Sequence, residues 1–266
     1  MAFEDILFEK RDGVATITIN RPNVLNAFRA KTVEEMLEAM RDAENDHDIG
    51  VIVLAGAGDR AFCAGGDNSS RGSSANEGGY GGRGLVGLPI EELHSAIRDS
   101  RKPVIAKVQG YAIGGGNVLA TVCDLTIASD KAQFGQVGPR VGSVDPGWGT
   151  AYLSRLVGEK RAREIWFLCR RYTAAEAYEM GLVNKVVPAD QLDAEVEAWC
   201  REILALSPTA IAIAKRSFNA DSENIRGIGA LGFESLALYY NTDEAKEGTQ
   251  AFLEKRRPDF RGKRRR

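Results

Sequence analysis

Two glycine clusters in this chain are suited to holding a negatively charged oxygen. Residues 61–67 (AFCAGGD) directly follow a predicted strand, and residues 110–117 (GYAIGGGN) follow another and open a predicted helix. Glycine lets backbone N–H groups approach a ligand closely, and the N–H groups at a helix N-terminus have no partner within the helix. Two such turns brought together would aim two amides at one oxygen, which is an oxyanion hole. The alternative is that both clusters are tight structural turns.

Other kinds of site find little support in the sequence. Neither a GxGxxG dinucleotide fingerprint nor a GxxxxGK[ST] phosphate loop occurs. The four cysteines are scattered without a CxxC or CxxH pair, and there are only two histidines. These counts indicate neither a zinc site nor a disulfide framework, so we expect no metal and no separate cofactor.

The composition is that of an ordinary globular protein. The 266 residues are 44% hydrophobic and 27% charged, with a net charge of -2. A near-neutral balance argues against a surface built to hold nucleic acid, and no run of about 18 apolar residues predicts a membrane span. The first residues carry acids and no apolar signal segment, which favours a cytoplasmic enzyme.

Hydrophobic periodicity predicts an α/β fold. Residues 3–11 and 14–20 read as a hairpin that turns at Asp12-Gly13, and residues 51–55, 104–108 and 125–128 read as buried strands. Helical patterns cover residues 31–45 and 114–122, so the order suggests βαβ units in a partly parallel sheet. Further helices are predicted at residues 159–169, 174–180, 189–206, 208–219 and 230–259.

This change in pattern divides the chain into two predicted parts. Residues 1–200 form the α/β core that carries the oxyanion hole, and residues 201–266 form a helical region with a basic tail. The segment Asn68–Gly87, rich in Gly, Ser and Asn, is predicted to be a mobile loop that covers a site. The last residues, 261–266, are predicted to fray.

Several separated motifs resemble one family. The two glycine clusters lie roughly 50 residues apart. Four further motifs occur before and after them: NRP (20–22), NAF (26–28), FGQ (134–136) and KRRPDF (255–260). Together they resemble the enoyl-CoA hydratase/isomerase (crotonase) superfamily over nearly the whole chain. The resemblance implies a spiral of ββα units, a helical trimerisation region, and a homotrimer or homohexamer. It also implies an acyl-CoA thioester whose carbonyl is held by the N–H groups of Gly66 and Gly115.

The positions that carry the hydratases' two glutamates are different here. The matching residues are Val118 and Gly138, and neither can transfer a proton. Simple hydration of an enoyl-CoA is therefore disfavoured on chemical grounds.

The nearest remaining acid is Asp145, in the segment VGSVDPGW (141–148). This segment resembles the 1,4-dihydroxy-2-naphthoyl-CoA synthases, in which the residues that match Asp145 and Ser143 line the active site. A tyrosine that matches Tyr240 reaches the site there, typically from a neighbouring subunit. Otherwise Asp145 would be a turn-forming residue and Tyr240 a packed interface residue.

Departures from the synthases favour a ring-opening enzyme. Val137 replaces a threonine and Pro146 replaces a glycine, and the segments 86–94, 135–139 and 142–147 look most like 2-ketocyclohexanecarboxyl-CoA hydrolase, which acts in anaerobic benzoate and cyclohexanecarboxylate degradation. The resemblance thus implies hydrolytic opening of a cyclic β-keto acyl-CoA through a thioester enolate. A naphthoyl-CoA synthase or another member of the superfamily is the alternative.

The hypothesis assigns roles to particular residues. Asp145 activates water, Tyr240 hydrogen-bonds or protonates the ketone oxygen, and Ser143 supports them. His94 is a further candidate acid or base, with a buried or loop histidine as the alternative. Tyr80 is a candidate to close over the ring.

The resemblance also implies where coenzyme A lies. Arg29 and the basic residues from Lys255 onward would pair with its phosphates, and the Ala64 backbone would bound the adenine. The alternative for the tail is a solvated segment. Apart from Phe260, the tail lacks interleaved aromatic residues, which argues against nucleic acid. Bicarbonate, another anion and water all remain open as occupants of the space beside Gly138.

Overall fold

The computed structural model describes residues 3–71 and 79–262. Its strands are β1 (Ile6–Arg11), β2 (Val14–Ile19), β3 (Val51–Gly56), β4 (Ala61–Cys63), β5 (Val104–Val108), β6 (Tyr111–Ile113), β7 (Leu125–Ser129), β8 (Gln133–Gly135), β9 (Arg171–Thr173) and β10 (Lys185–Val187). Its α-helices are α1 (Ala30–Asn45), α2 (Ile90–Asp99), α3 (Gly115–Val122), α4 (Gly138–Val141), α5 (Ala151–Val157), α6 (Glu159–Leu168), α7 (Ala174–Glu179), α8 (Leu192–Leu204), α9 (Pro208–Asp221), α10 (Asn224–Tyr240) and α11 (Asp243–Leu253).

The larger sheet has six strands in the order β1-β2-β3-β5-β7-β10. The first pair is the predicted hairpin, which turns through positive φ angles of 51° at Asp12 and 82° at Gly13. The remaining neighbours are parallel. Every residue of β3 is buried, as its continuous apolar sequence predicted, because apolar side chains cover both faces of the sheet.

A second sheet, which the sequence analysis did not predict, positions the candidate site. Its order is β4-β6-β8-β9, and β4, β6 and β8 run parallel to one another. Parallel strands place their carboxyl ends at one edge. These strands end at Cys63, Ile113 and Gly135, so both glycine clusters and the FGQ motif meet at this edge. The strands have only three residues each, which is too short for a periodicity to be recognised in the sequence.

The C-terminal third is helical, as predicted, but the single helical pattern over residues 230–259 is two helices. The chain breaks after α10 at Asn241, and the side chain of Thr242 caps α11 by accepting a hydrogen bond from Ala245 N at 3.2 Å. Helix α10 lies across the segment that carries Asp145, since a Cβ on Gly232 would collide with Pro146. The division at residue 200 stays a prediction, and α8 continues across that position.

Part of the predicted loop Asn68–Gly87 and most of the predicted frayed tail lie outside the described residues. Within the described part, Tyr80 N donates to Val86 O at 2.9 Å, and Val86 and Leu88 are each 4% exposed and packed in the main core. This end of the loop is therefore more deeply packed than its composition suggested. Over residues 3–71 and 79–262, no helix has both the length and the apolar character needed to cross a bilayer.

Candidate active site

A single cavity at the edge of the second sheet brings together most of the predicted site residues. Backbone from both glycine clusters forms one side, and side chains from the 143–145 segment and from α10 form the other. The predicted residues on its lining are Ala64, Gly66, Tyr80, Gly115, Gly138, Ser143, Asp145 and Tyr240.

The two glycine turns converge inside this cavity. A Cβ placed on Gly65 would lie 3.0 Å from the amide nitrogen of Gly115, so the two turns are in contact. Gly65 has a φ of 89°, a conformation that favours glycine. Within the described residues, the amides of Gly66 and Gly115 donate no hydrogen bond. The Gly115 amide lies at the start of α3 and the Gly66 amide lies in the turn beside it. Two such unpaired donors close together are the arrangement that stabilises an oxyanion.

Hydrogen bonds hold the Gly66 turn in place on both sides. Phe28 N donates to Gly65 O at 2.8 Å, and Asp67 N donates to Phe28 O at 2.8 Å. Arg21 fixes the end of the turn by donating to Asp67 Oδ2 at 3.0 Å and to Ala27 O. Because every one of these contacts includes backbone or a part-buried ion pair, the Gly66 amide is oriented before any substrate binds.

Gly138 and Val118, the positions that match the hydratases' glutamates by sequence motif, offer no acid to this cavity. A Cβ on Gly138 would lie 2.5 Å from Ser143 O and 2.9 Å from the Trp166 ring. Val118 is fully buried and does not line the cavity. Proton transfer in this cavity must therefore use other side chains.

Asp145 brings a carboxyl group to the lining of the cavity. Its Oδ1 atom is enclosed and has no hydrogen-bond partner among the described residues. The pKa of Asp145 is raised to about 7, chiefly by burial; a hydrogen bond from the Gly149 backbone lowers the pKa, and the negative charge of Glu91 adds to the rise. A group whose pKa lies near neutrality exists in both protonation states and is suited to accept and return a proton.

Ser143 and Tyr240 form a hydrogen-bonded pair beside this carboxyl group. The Ser143 Oγ and Tyr240 hydroxyl oxygens are 2.7 Å apart, and Tyr240 is 4% exposed. The tyrosine lies on α10 of the same chain. Burial raises the pKa of Tyr240, so the phenol is protonated at neutral pH.

Tyr80 reaches the cavity from the glycine-rich loop. Its hydroxyl lies so close to Gly66 that a Cβ there would collide with it. Its ring packs edge-on against Tyr240, with centroids 6.4 Å apart. Gly66 therefore also makes room for this phenol, which stands next to the oxyanion donors.

Other predicted residues lie elsewhere. His94 is fully buried on α2, outside the cavity lining, and burial lowers its pKa to about 3. Arg29 donates to Asp5 at 2.8 Å and to Glu4 at 2.8 Å. Lys255 lines a separate basic cavity whose other residues include Arg140, Phe252, Arg256, Arg257 and Phe260. The roles predicted for these three residues stay predictions.

Two further residues of the site escaped the sequence analysis. Trp166 walls the cavity beside Gly138 and donates from Nε1 to Gly149 O. Arg71 lies behind Tyr240, with its guanidinium carbon 3.9 Å from the ring centroid. Neither has a local sequence signal, because both contacts join segments that are distant along the chain.

The fold and the paired amides define a class of protein in which an oxyanion hole is set at the edge of a small parallel sheet. A model of the enoyl-CoA hydratase/isomerase family matches residues 9–263. The chain therefore belongs to the enoyl-CoA hydratase/isomerase (crotonase) superfamily, as the sequence motifs predicted, and is an enzyme of that superfamily.

Solved structures agree with this assignment. An enoyl-CoA hydratase from Mycobacterium avium subsp. paratuberculosis K-10 is 30% identical with a TM-score of 0.86, and the match covers 97% of this chain and 99% of that one. A carnitinyl-CoA hydratase from Mycobacterium avium is 29% identical with a TM-score of 0.82, over 97% and 98% of the two chains. An enoyl-CoA hydratase/isomerase from Xanthobacter autotrophicus Py2 is 29% identical with a TM-score of 0.82, over 95% and 94%.

Proposed function

We propose that this enzyme opens the ring of a cyclic β-keto acyl-CoA by hydrolysis, converting 2-ketocyclohexane-1-carboxyl-CoA and water into pimeloyl-CoA. The observation that carries the proposal is one cavity whose lining contains both Gly66 and Gly115, with amides that donate no hydrogen bond within the described residues, together with Asp145, Ser143 and Tyr240. Such a set can hold an enolate on one side and move protons on the other.

The reaction begins with the addition of water to the ring ketone. The Asp145 carboxylate takes a proton from water, and the hydroxide that forms adds to the ketone carbon, C2. Tyr240, hydrogen-bonded to Ser143 at 2.7 Å, donates its proton to the oxygen that becomes negative. Because the pKa of Asp145 lies at about 7, the carboxylate form is populated at neutral pH.

Cleavage then reverses a Claisen condensation. Tyr240 takes its proton back as the C2 carbonyl re-forms, the C1–C2 bond breaks, and its electron pair moves into the thioester as an enolate. The amides of Gly66 and Gly115 stabilise the enolate oxygen. Asp145 returns the proton to C1, so that one water is consumed and the product carries a new carboxylic acid.

The same contacts argue against hydration as the principal reaction. A hydratase needs an acid at the position of Gly138, where Ser143 O and Trp166 leave no space for a Cβ. The names of the similar hydratases describe those proteins, and at about 30% identity the side chains that move protons can differ between members.

Coenzyme A would extend from the cavity past the Ala64 backbone. The basic cavity around Lys255 contains Arg140, Arg256 and Arg257 together with Phe252 and Phe260, which suits a nucleotide's phosphates and adenine. Arg29 would bind phosphate only by leaving its partners Asp5 and Glu4. We propose that this basic cavity serves an acyl-CoA bound to a neighbouring copy.

Self-association fits the surface of the C-terminal helices. Four large apolar side chains there are between 66% and 76% exposed, which is costly for an isolated chain: Ile213, Phe218, Leu231 and Leu238. We propose that they are covered in a homotrimer or in a hexamer of two trimers.

Mass spectrometry of 2-ketocyclohexanecarboxyl-CoA after incubation with the enzyme tests the proposed reaction. Gain of one water with coenzyme A still attached supports ring opening. Release of free coenzyme A would indicate a thioesterase and would contradict the proposal.

A naphthoyl-CoA synthase is the second candidate, because the grouping of Ser143, Asp145 and Tyr240 also suits ring closure through the same enolate. Formation of 1,4-dihydroxy-2-naphthoyl-CoA with loss of one water, and no ring opening, would favour it.

A further inference from the structure

Arg71 is a buried cation held against the site by backbone oxygens. It is 6% exposed and donates to Val141 O at 3.3 Å and to Gly142 O at 2.5 Å. These two carbonyls directly precede Ser143. The guanidinium therefore fixes the backbone that delivers the serine to the cavity.

The same guanidinium is stacked on the ring of Tyr240. The distance from its central carbon to the ring centroid is 3.9 Å, within the range of a cation–π contact. Among residues 3–71 and 79–262, no carboxylate lies within salt-bridge distance of Arg71. Burial of a guanidinium away from water costs free energy, and buried charges occur preferentially where the charge serves a reaction.

We propose that Arg71 is an electrostatic positioning residue that places a positive charge behind Tyr240 and so strengthens its phenol as the proton donor to the ketone oxygen. The inference rests on the proposed ring opening. Arg71 itself does not line the cavity, so it acts through Tyr240 and through the backbone before Ser143.

The groups that face Tyr240 show why a cation is needed there. Burial of the phenol and the negative charge of Asp145 both disfavour the phenolate. Arg71 opposes them, and hydrogen bonds with Ser143 and Tyr80 act in the same direction as Arg71. A phenol in this cavity without Arg71 would share its proton less readily with an oxygen that is becoming negative.

Arg71→Met removes the charge and keeps much of the side-chain bulk. We expect kcat for ring opening to fall about 10- to 100-fold, with KM changed less than about threefold, because the charge acts on the transition state. Arg71→Lys restores a charge without the planar guanidinium and should recover part of kcat. In a Tyr240→Phe background, Arg71→Met should lower kcat by less than about twofold, because the phenol on which the Arg71 charge acts is absent.

A fluorinated tyrosine at position 240, whose phenol is more acidic, provides a readout that is independent of turnover. Its ¹⁹F NMR titration midpoint should move to higher pH in Arg71→Met. Arg98→Met is the matched control, because Arg98 is also buried, at 4% exposure, and stacked 4.7 Å from the Tyr152 ring centroid. This control should leave the midpoint at position 240 unchanged.

An unchanged midpoint in Arg71→Met, with kcat losses that multiply in the double variant, would overturn the inference and leave Arg71 a packing residue. If the midpoint moves but the wild-type enzyme never opens the ring, the coupling of Arg71 to Tyr240 stands and the proposed function is wrong.

Discussion

The two sides of the cavity are built by different means. The oxyanion side consists of backbone amides of Gly66 and Gly115, fixed by two parallel strands and a helix N-terminus. The acid–base side consists of side chains of Ser143, Asp145 and Tyr240, which stand on an irregular segment and on a C-terminal helix.

This difference indicates which part of the site belongs to the fold and which part selects the reaction. Backbone donors survive almost any substitution, so the amide pair can be kept while the chemistry changes. Side chains on loops can be exchanged without disturbing the sheet. Ser143 and Asp145 are side chains of this second kind, because they stand on the irregular segment between α4 and α5.

The strongest test of the acid–base side is Asp145→Asn. It keeps the shape of the side chain but removes the group that accepts the water proton, and we expect turnover of the cyclic β-keto thioester to fall about 10²–10⁴-fold. Steady-state kinetics measures the loss. Turnover within about threefold of wild type would remove Asp145 from the mechanism.

Glu91→Gln is the companion variant for this test. Glu91 raises the pKa of Asp145 through its negative charge. From the Asp145 pKa of about 7 we expect an acid limb of the wild-type kcat profile near pH 7, and removal of the Glu91 charge should shift this limb to lower pH. An acid limb that stays in place would show that Asp145 does not set it.

A proline at position 115 tests the oxyanion side. Gly115 is the first residue of α3, where proline is tolerated but has no N–H to donate. Gly115→Ala is the control, because it adds the same Cβ against Phe28 and keeps the N–H donor. Relative to this control, kcat of Gly115→Pro should be about 10²–10³-fold lower. Equal kcat values for the two variants would mean that this amide does not contact the thioester oxygen.

Ser143→Ala should have a smaller effect. It removes the 2.7 Å hydrogen bond to the Tyr240 hydroxyl but leaves the phenol in place. Because only one hydrogen bond is lost and the phenol can still donate its proton, we expect kcat to fall about tenfold. A loss as large as that of Asp145→Asn would assign the serine a direct role.

The last expected effect is on stability and not on turnover. The folded-state pKa of Asp145, at about 7, lies above its ordinary value of 3.8. The folded state therefore binds the Asp145 proton more tightly than the unfolded state does. The stability that this bound proton contributes at low pH is lost as the pH rises from about 4 through 7. Asp145→Asn avoids that loss and should be more stable than wild type at pH 8 by about 1–3 kcal/mol.

Urea denaturation of both proteins at pH 4 and at pH 8 measures this difference. The difference between their free energies of unfolding should be larger at pH 8 than at pH 4. A constant gap would show that the charge of Asp145 is not the cause.

Local patterns in the sequence were enough to predict five of the six strands of the larger sheet, all but β10, and the family. The Asp12-Gly13 turn and the apolar run of β3 predicted their elements because backbone conformation and burial act over a few residues. The glycine clusters likewise predicted free amides, since only glycine adopts the φ of 89° at Gly65 without strain. The family assignment is confirmed by the match over residues 9–263.

Only the tertiary structure decided which side chains share the cavity. Arg71 and Tyr240 are in contact although 169 positions separate 71 from 240, and His94 is enclosed away from the cavity although its chemistry suited a role there. The sequence determined that two turns have donors to offer and that the hydratases' acids are missing. Where the acid–base groups stand depends on how α10 and the second sheet pack, and packing across such separations follows from the shape and burial of the whole chain and not from any local pattern.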